Sequence, residues 1–260
     1  MKVSIIVPVY NEKNTVEDVI SKIENVDLGL EREIIIVDDG SRDGTKDIIT
    51  KINSSLPIKK VFHSTNQGKG AAIAQALKSA SGDIIIIQDG DLEYDPVEYP
   101  KLLHYILNGQ AEAVYGSRFL NGNNHFLIRN YLGNLLINAV ARLIYAKPIT
   151  DIMTGHKVFL ASALQGMDIK SKRFGFDPEI TGLLYRSNYR IIEVPISYAC
   201  RNCRKGKKIG FLDIFDVLWW MIFTNFRQKD DPKQRWLNIT RAKKELNWQS
   251  KVKLKLGQSS

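Results

Sequence analysis

Short β-branched runs, each of strand length and each followed by a helical pattern, set the tightest constraint on what this chain can fold into. Residues 3–9, 33–37, 60–63, 83–88 and 113–116 read as strands. Val16, Val19, Ile20 and Ile23 share one helical face, and the expected start is an Asn14 cap with Glu17 three residues on. Ile48, Ile49 and Ile52 after Asp43 mark a second helix, and Ile73, Ala76 and Leu77 after Gly68 mark a third. Such alternation predicts an α/β fold, a mostly parallel sheet flanked by helices. Beyond it, helices are expected at 129–145, 177–187 and 211–226, with a strand at 191–194.

With 260 residues and 44% hydrophobic content, the chain can bury a full core, so residues 1–226 are expected to form one domain and 227–260 a short tail. The net charge of +9 is unevenly placed. The tail carries 10 Lys and Arg against 3 Asp and Glu, or +7, which leaves 27 against 25, or +2, for the rest. A nearly neutral main domain is not a nucleic-acid surface. Cys200 and Cys203 are the only cysteines, so no disulfide framework is needed and a reducing, cytoplasmic setting is expected. Their spacing matches half a zinc site or a redox pair, but no second pair or βαβ context accompanies it, and they read as incidental thiols. The first residues read as a strand rather than a signal peptide. No run approaches the ~20 apolar residues of a membrane span.

In an open parallel sheet, ligands bind outside the carboxyl ends of the strands. Pro8-Val9-Tyr10-Asn11-Glu12 follows the first strand, Asp38-Asp39-Gly40-Ser41 the second and Asp89-Gly90-Asp91-Leu92-Glu93 the fourth. One acidic pair is as well explained by a helix cap; three polar loops at strand ends point to a site. Asp89 and Asp91, separated by Gly90, suit a magnesium or manganese ion, which takes one or two carboxylates and leaves positions for phosphate oxygens, against a reading as a solvated turn. Gly68-Lys69-Gly70 follows the wrong strand for a dinucleotide fingerprint and has Ile73 where a small residue is required. Lys69 is left as a phosphate-facing residue or a plain helix start.

Together these segments resemble the family 2 glycosyltransferases of GT-A fold, especially the polyprenyl-phosphate sugar synthases typified by dolichyl-phosphate mannose synthase. The resemblance extends through Gly116-Ser117-Arg118, residues 151–155, Glu193-Val194-Pro195-Ile196 and Gly206-Lys207-Lys208-Ile209, covering roughly residues 1–226. It implies that Pro8, Tyr10, Glu12 and Asp39, with Lys69, Asp89 and Gly90, bind a GDP- or UDP-sugar. It further implies that Asp89 and Asp91 ligate the metal. Glu93 stands where these synthases often carry Gln as a further ligand. Arg118, Arg129, Arg201, Lys207 and Lys208 are the expected cationic groups for an acceptor phosphate or the donor diphosphate, against a reading as ordinary surface charge.

The implied reaction moves a hexose, with inversion, to a polyprenyl phosphate. A phosphate acceptor is already an anion and needs no base. A saccharide hydroxyl would need one, for which Asp177 and Glu179 are candidates, or else they favour a helix N-terminus. A non-catalytic nucleotide-sugar-binding scaffold is the alternative of a different class. The aromatic helix at 211–226 is read either as a core helix or as an interfacial one that, with the basic tail, makes peripheral membrane contact. Residues 230–252 also resemble the C-terminal end of extended short-chain dehydrogenases that modify nucleotide sugars, which leaves a protein partner for the tail open.

Overall fold

The computed structural model describes residues 1–122, 128–200 and 211–226. The strands are β1 (Lys2–Val9), β2 (Glu31–Asp38), β3 (Ile58–Phe62), β4 (Ile84–Ile87), β5 (Ala113–Ser117), β6 (Lys157–Leu160) and β7 (Ile191–Pro195). The helices are α1 (Val16–Asn25), α2 (Thr45–Lys51), α3 (Lys69–Ser79), α4 (Tyr99–Leu107), α5 (Ile128–Tyr145), α6 (Ala161–Leu164), α7 (Phe176–Arg186) and α8 (Phe211–Phe226). One sheet has the order β3-β2-β1-β4-β6-β5-β7. Its strands pair in parallel except β6, which runs antiparallel to both β4 and β5.

Burial follows from composition. The four isoleucines of β4 are all buried, as a central strand covered on both faces requires. In β1 and β2, Ile5 lies opposite Ile34 and Val7 opposite Ile36, and all four side chains are sealed in the core. At the amino ends of the strands, the buried Glu33 accepts from Ser4 Oγ at 2.6 Å and Lys2 Nζ at 2.8 Å. Burial raises the Glu33 carboxyl, but the bonds from Lys2, Ser4 and Ser81 outweigh it and hold the group well below the usual carboxylate range.

Three elements lie outside the sequence reading: β6, α4 and the one-turn helix α6. The strand β6 is four residues long and begins with a lysine, so it shows no period; its residues are all buried, Lys157 included. The helix α4 follows Pro96 and contains Pro100, residues that read as turn punctuation. Pro100 lies in the first turn, where its missing N–H costs nothing. The expected Asn14 cap is also corrected: α1 is preceded by Thr15, with no side-chain cap bond. The Thr15 hydroxyl instead donates to Gly90 O at 2.8 Å, tying the loop after β1 to the loop after β4.

The chain leaves β1 for β2 on one side, while β4 flanks β1 on the other. That reversal opens a crevice at the carboxyl ends of β1 and β4, where ligands of such sheets bind.

Candidate active site

Four strand ends bring a row of polar groups to this crevice. From the sheet edge inward they are His63 after β3, Asp39 after β2, residues 8–12 after β1 and residues 89–93 after β4. Asp39, with 3% of its side chain exposed, accepts from Gln67 N at 2.9 Å, Gly68 N at 2.7 Å and Asn66 Nδ2 at 2.9 Å, and it pairs with His63 Nδ1 at 2.8 Å. Gly40 beside it has φ +73, and a side chain there would overlap the backbone of Thr65 and Asn66. The 39–41 turn and the 63–68 loop are therefore locked together. After β1, Asn11 adopts φ 56 and accepts from Arg42 N at 2.8 Å, while Glu12 N donates to Thr45 Oγ1 at 2.9 Å.

At the end of β4, Asp89 Oδ1 lies 2.7 Å from Lys69 Nζ, at the start of α3. Burial would pull the Lys69 ammonium down, but Asp89, with Asp177 and Asp91 nearby, holds it above the ordinary lysine value. Asp91 Oδ1 accepts from Glu93 N at 3.1 Å, and Leu92 between them takes φ 61, a left-handed conformation uncommon for leucine. A side chain on Gly155 would overlap the Asp89 carboxylate and the Tyr94 ring, so a glycine there lets the carboxylate lie against the backbone of residue 155. A Gly90 side chain would press on Val9, which lets the two loops approach closely.

These residues fit a divalent cation. Asp89 and Asp91 offer hard oxygen donors at one turn, and ions of the magnesium or manganese type ask for one or two such carboxylates beside phosphate oxygens and water. No group of three or more His, Cys, Asp or Glu side chains with ligand spacing occurs among the described residues. The fit is therefore to a two-carboxylate site that substrate oxygens complete.

The structure brings Lys69, Asp89 and Asp91 together and sets the other candidates in supporting positions. Glu93 accepts from Tyr198 Oη at 2.9 Å, and its backbone oxygen accepts from Ala199 N at 2.9 Å. Arg118, 7% exposed, forms a bidentate pair with Asp151 (Nε–Oδ2 and Nη2–Oδ1, both 2.7 Å) and lies 5.1 Å from the Tyr198 ring and 6.0 Å from those of Tyr94 and Phe119. Asp151 N in turn donates to Glu193 Oε1 at 2.8 Å. Arg118 thus braces the 89–94 loop against the 196–199 segment. Asp177 pairs with the buried Lys157, whose ammonium is lowered by burial despite that partner. Glu179 is fully buried and accepts from Ser171 N at 2.8 Å and Lys170 N at 3.1 Å. Arg201, Lys207, Lys208, the Arg129 side chain and the tail lie outside the described residues.

Several contributors were not named as site residues from the sequence. His63 closes the run read as the third strand and Asn66 opens the segment that continues through Gly68-Lys69-Gly70, but no pattern marks either as a partner of Asp39, and Lys157 lies on the unrecognised β6. Tyr198 is foreshadowed only by the Glu193-Val194-Pro195-Ile196 segment that precedes it.

Comparisons with known proteins agree with this architecture. Residues 4–167 match the model of Glycosyl transferase family 2. A dolichol-phosphate mannosyltransferase of Pyrococcus furiosus is 32% identical over 224 residues, 84% of this chain and 62% of that protein. The chain therefore spans under two thirds of that relative's length. An undecaprenyl-phosphate mannosyltransferase of Micrococcus luteus is 27% identical over 221 residues, covering 81% of this chain and 88% of that protein. Among solved structures, glucosyl-3-phosphoglycerate synthase of Mycobacterium tuberculosis with Mg2+ and UDP superposes with a TM-score of 0.68 at 20% identity, covering 86% of this chain and 79% of that one. The last likeness concerns the fold, which is of the GT-A type. The chain belongs to glycosyl transferase family 2.

Proposed function

We propose that this chain is an inverting, metal-dependent hexosyltransferase that uses a GDP- or UDP-sugar and a polyprenyl phosphate of the dolichyl or undecaprenyl type. The observation that carries the reading is the meeting of Asp89, Asp91 and Lys69 at the end of β4, beside the crevice that opens next to β1. The names of the Pyrococcus and Micrococcus relatives support the lipid phosphate, and the Mg2+ and UDP of the mycobacterial structure support the donor and the ion.

In this reading Pro8, Tyr10, Glu12 and the Asp39 turn shape the nucleoside end, and Gly90 lets the diphosphate approach the backbone. Asp89 and Asp91, with Glu93 at the side, would hold magnesium or manganese, which when bound supplies Lewis-acid stabilisation of the departing diphosphate. Lys69 places a second positive charge beside that diphosphate. The acceptor phosphate carries its own negative charge and attacks once positioned in line. No base is then required, which accords with Asp177 engaged by Lys157 and Glu179 engaged by backbone amides. Arg118 acts through Asp151 as a brace, with Arg129, Arg201, Lys207 and Lys208 proposed for the acceptor phosphate.

Peripheral membrane contact belongs to the same proposal. Phe215, Trp219, Ile222 and Phe226 are exposed along one stripe of α8, and Leu132, Leu136 and Leu143 are exposed on α5, which packs against it. No helix among the described residues is long and apolar enough to cross a membrane.

The test uses radiolabelled GDP-mannose and UDP-glucose with a polyprenyl phosphate and magnesium or manganese. Label entering the organic phase is expected; transfer only into water-soluble material favours a saccharide acceptor. Asp91→Ala should remove about 3–5 kcal/mol of transition-state stabilisation, or about two to four orders of magnitude in rate, with folding intact by circular dichroism. Donor binding without turnover, indifferent to this substitution, points instead to a scaffold.

A further inference from the structure

We propose that Lys157 and Asp177 are positioning residues for Lys69: the buried pair provides a second anchor for the Lys69 ammonium, so that it serves the donor diphosphate instead of being held by Asp89 alone. This rests on the donor-nucleotide reading given above.

A lysine inside β6 is costly. Its three neighbours on the strand, Val158, Phe159 and Leu160, are buried apolar residues. An apolar side chain at 157 with another at 177 fills similar space without desolvating two charges. Lys157 is 1% exposed; its Nζ donates to Asp177 Oδ1 and to Thr154 O, and it stands 4.9 Å from the centre of the Tyr115 ring. Packing alone therefore does not call for a charge here, and the groups beside the pair supply a reason for one.

Strand register puts Lys157 next to the site. It lies opposite Ile87 of β4, two residues before Asp89. Thr154, whose carbonyl accepts from Lys157, precedes Gly155, against which the Asp89 carboxylate rests. Asp177 occupies the first turn of α7 beside Phe176, and Phe176 Cβ is so near Gly70 that a side chain there would press on it. The starts of α3 and α7 thus abut, and after Asp89 the carboxylate that acts most on the Lys69 ammonium is Asp177. Lys157, Asp177, Lys69 and Asp89 form a row of alternating charge, with 2.7 Å between the last two. Asp89 is also a proposed cation ligand, so an ammonium held by it alone would compete for that carboxylate. A second carboxylate, itself fixed by Lys157, lets Lys69 release Asp89 without leaving the site.

The test is calorimetric titration of the full chain with UDP and GDP in magnesium, with circular dichroism as the check on folding. Coulomb's law applied to Asp177 alone predicts that removing its negative charge tightens binding of an anionic diphosphate. The inference predicts the reverse. Asp177→Asn, which keeps the side chain's size and an oxygen for Lys157, should weaken the better-bound nucleotide about tenfold, and Lys157→Met should do so to a similar extent. Both losses should vanish on a Lys69→Met background, where a merely structural defect would persist. Should either single variant not fold, Lys157→Met combined with Asp177→Leu removes both buried charges at once and carries the same two expectations. Unchanged or tighter binding in Asp177→Asn overturns the inference, as do losses of full size in the absence of Lys69. A wild-type chain that binds neither nucleotide overturns the donor reading itself.

Discussion

His156 lies between the rings of Tyr94 and Tyr99, with centroids 5.8 and 5.3 Å away, and neither of its nitrogens has a hydrogen-bond partner among the described residues. Burial depresses the imidazole from 6.5 to about 4. The unfolded chain therefore binds this proton at a higher pH than the folded one, so stability is full above about 6.5 and falls as pH drops toward about 4. The slope is about 1.4 kcal/mol per pH unit for one such group. Replacing it, as in His156→Phe, should flatten that stretch of the acid limb in urea titrations taken across the range. A limb of unchanged steepness would mean that the ring is hydrated or charged in the fold. Glu33 acts in the same direction below the ordinary glutamate value, since its bonds to Lys2, Ser4 and Ser81 favour the ionised form in the folded chain alone.

At the scale of elements, α8 has two faces with different duties. Val217, Met221 and Thr224 are buried, and Trp220 packs so closely on Gly175 at the start of α7 that a side chain there would overlap its ring. Trp219 and Phe226, by contrast, are 62% and 82% exposed. Met221→Ala should cost about 2–5 kcal/mol in equilibrium unfolding, while Trp219→Ser should stay within about 0.5 kcal/mol. A large loss from the second substitution would show that Trp219 is covered within the protein. The core reading of this helix thus describes its buried face, and the interfacial reading belongs to the proposal for the exposed stripe. The first five strands were legible as short runs between helical patterns, and in β1, β2 and β4 burial on both faces demands the β-branched residues that mark them, a local property of the sequence. The strand β6 was not, because a four-residue segment beginning with Lys157 is recruited by its neighbours, and the lysine is tolerated inside only through Asp177, twenty positions away.

For the molecule as a whole, the proposed membrane contact combines apolar exposure on α5 and α8 with a tail of charge +7 following a domain of +2. Binding to vesicles containing anionic lipid should weaken between about 0.1 and 1 M salt, as the screening length shrinks from about 10 to about 3 Å. Co-sedimentation across that range checks it, and salt-independent binding would assign the contact to the apolar stripe alone. By itself the sequence determined the succession of strands and helices and the loops in which Asp39, Asp89 and Asp91 fall, since both follow from side-chain patterns within a few residues. Only the tertiary structure decided what each charged group is free to do. Arg118 is bound to Asp151, Asp39 accepts from the loop after β3, and Lys69 is drawn to Asp89. A polar group's remaining capacity depends on partners that long-range packing supplies, and no local pattern records them.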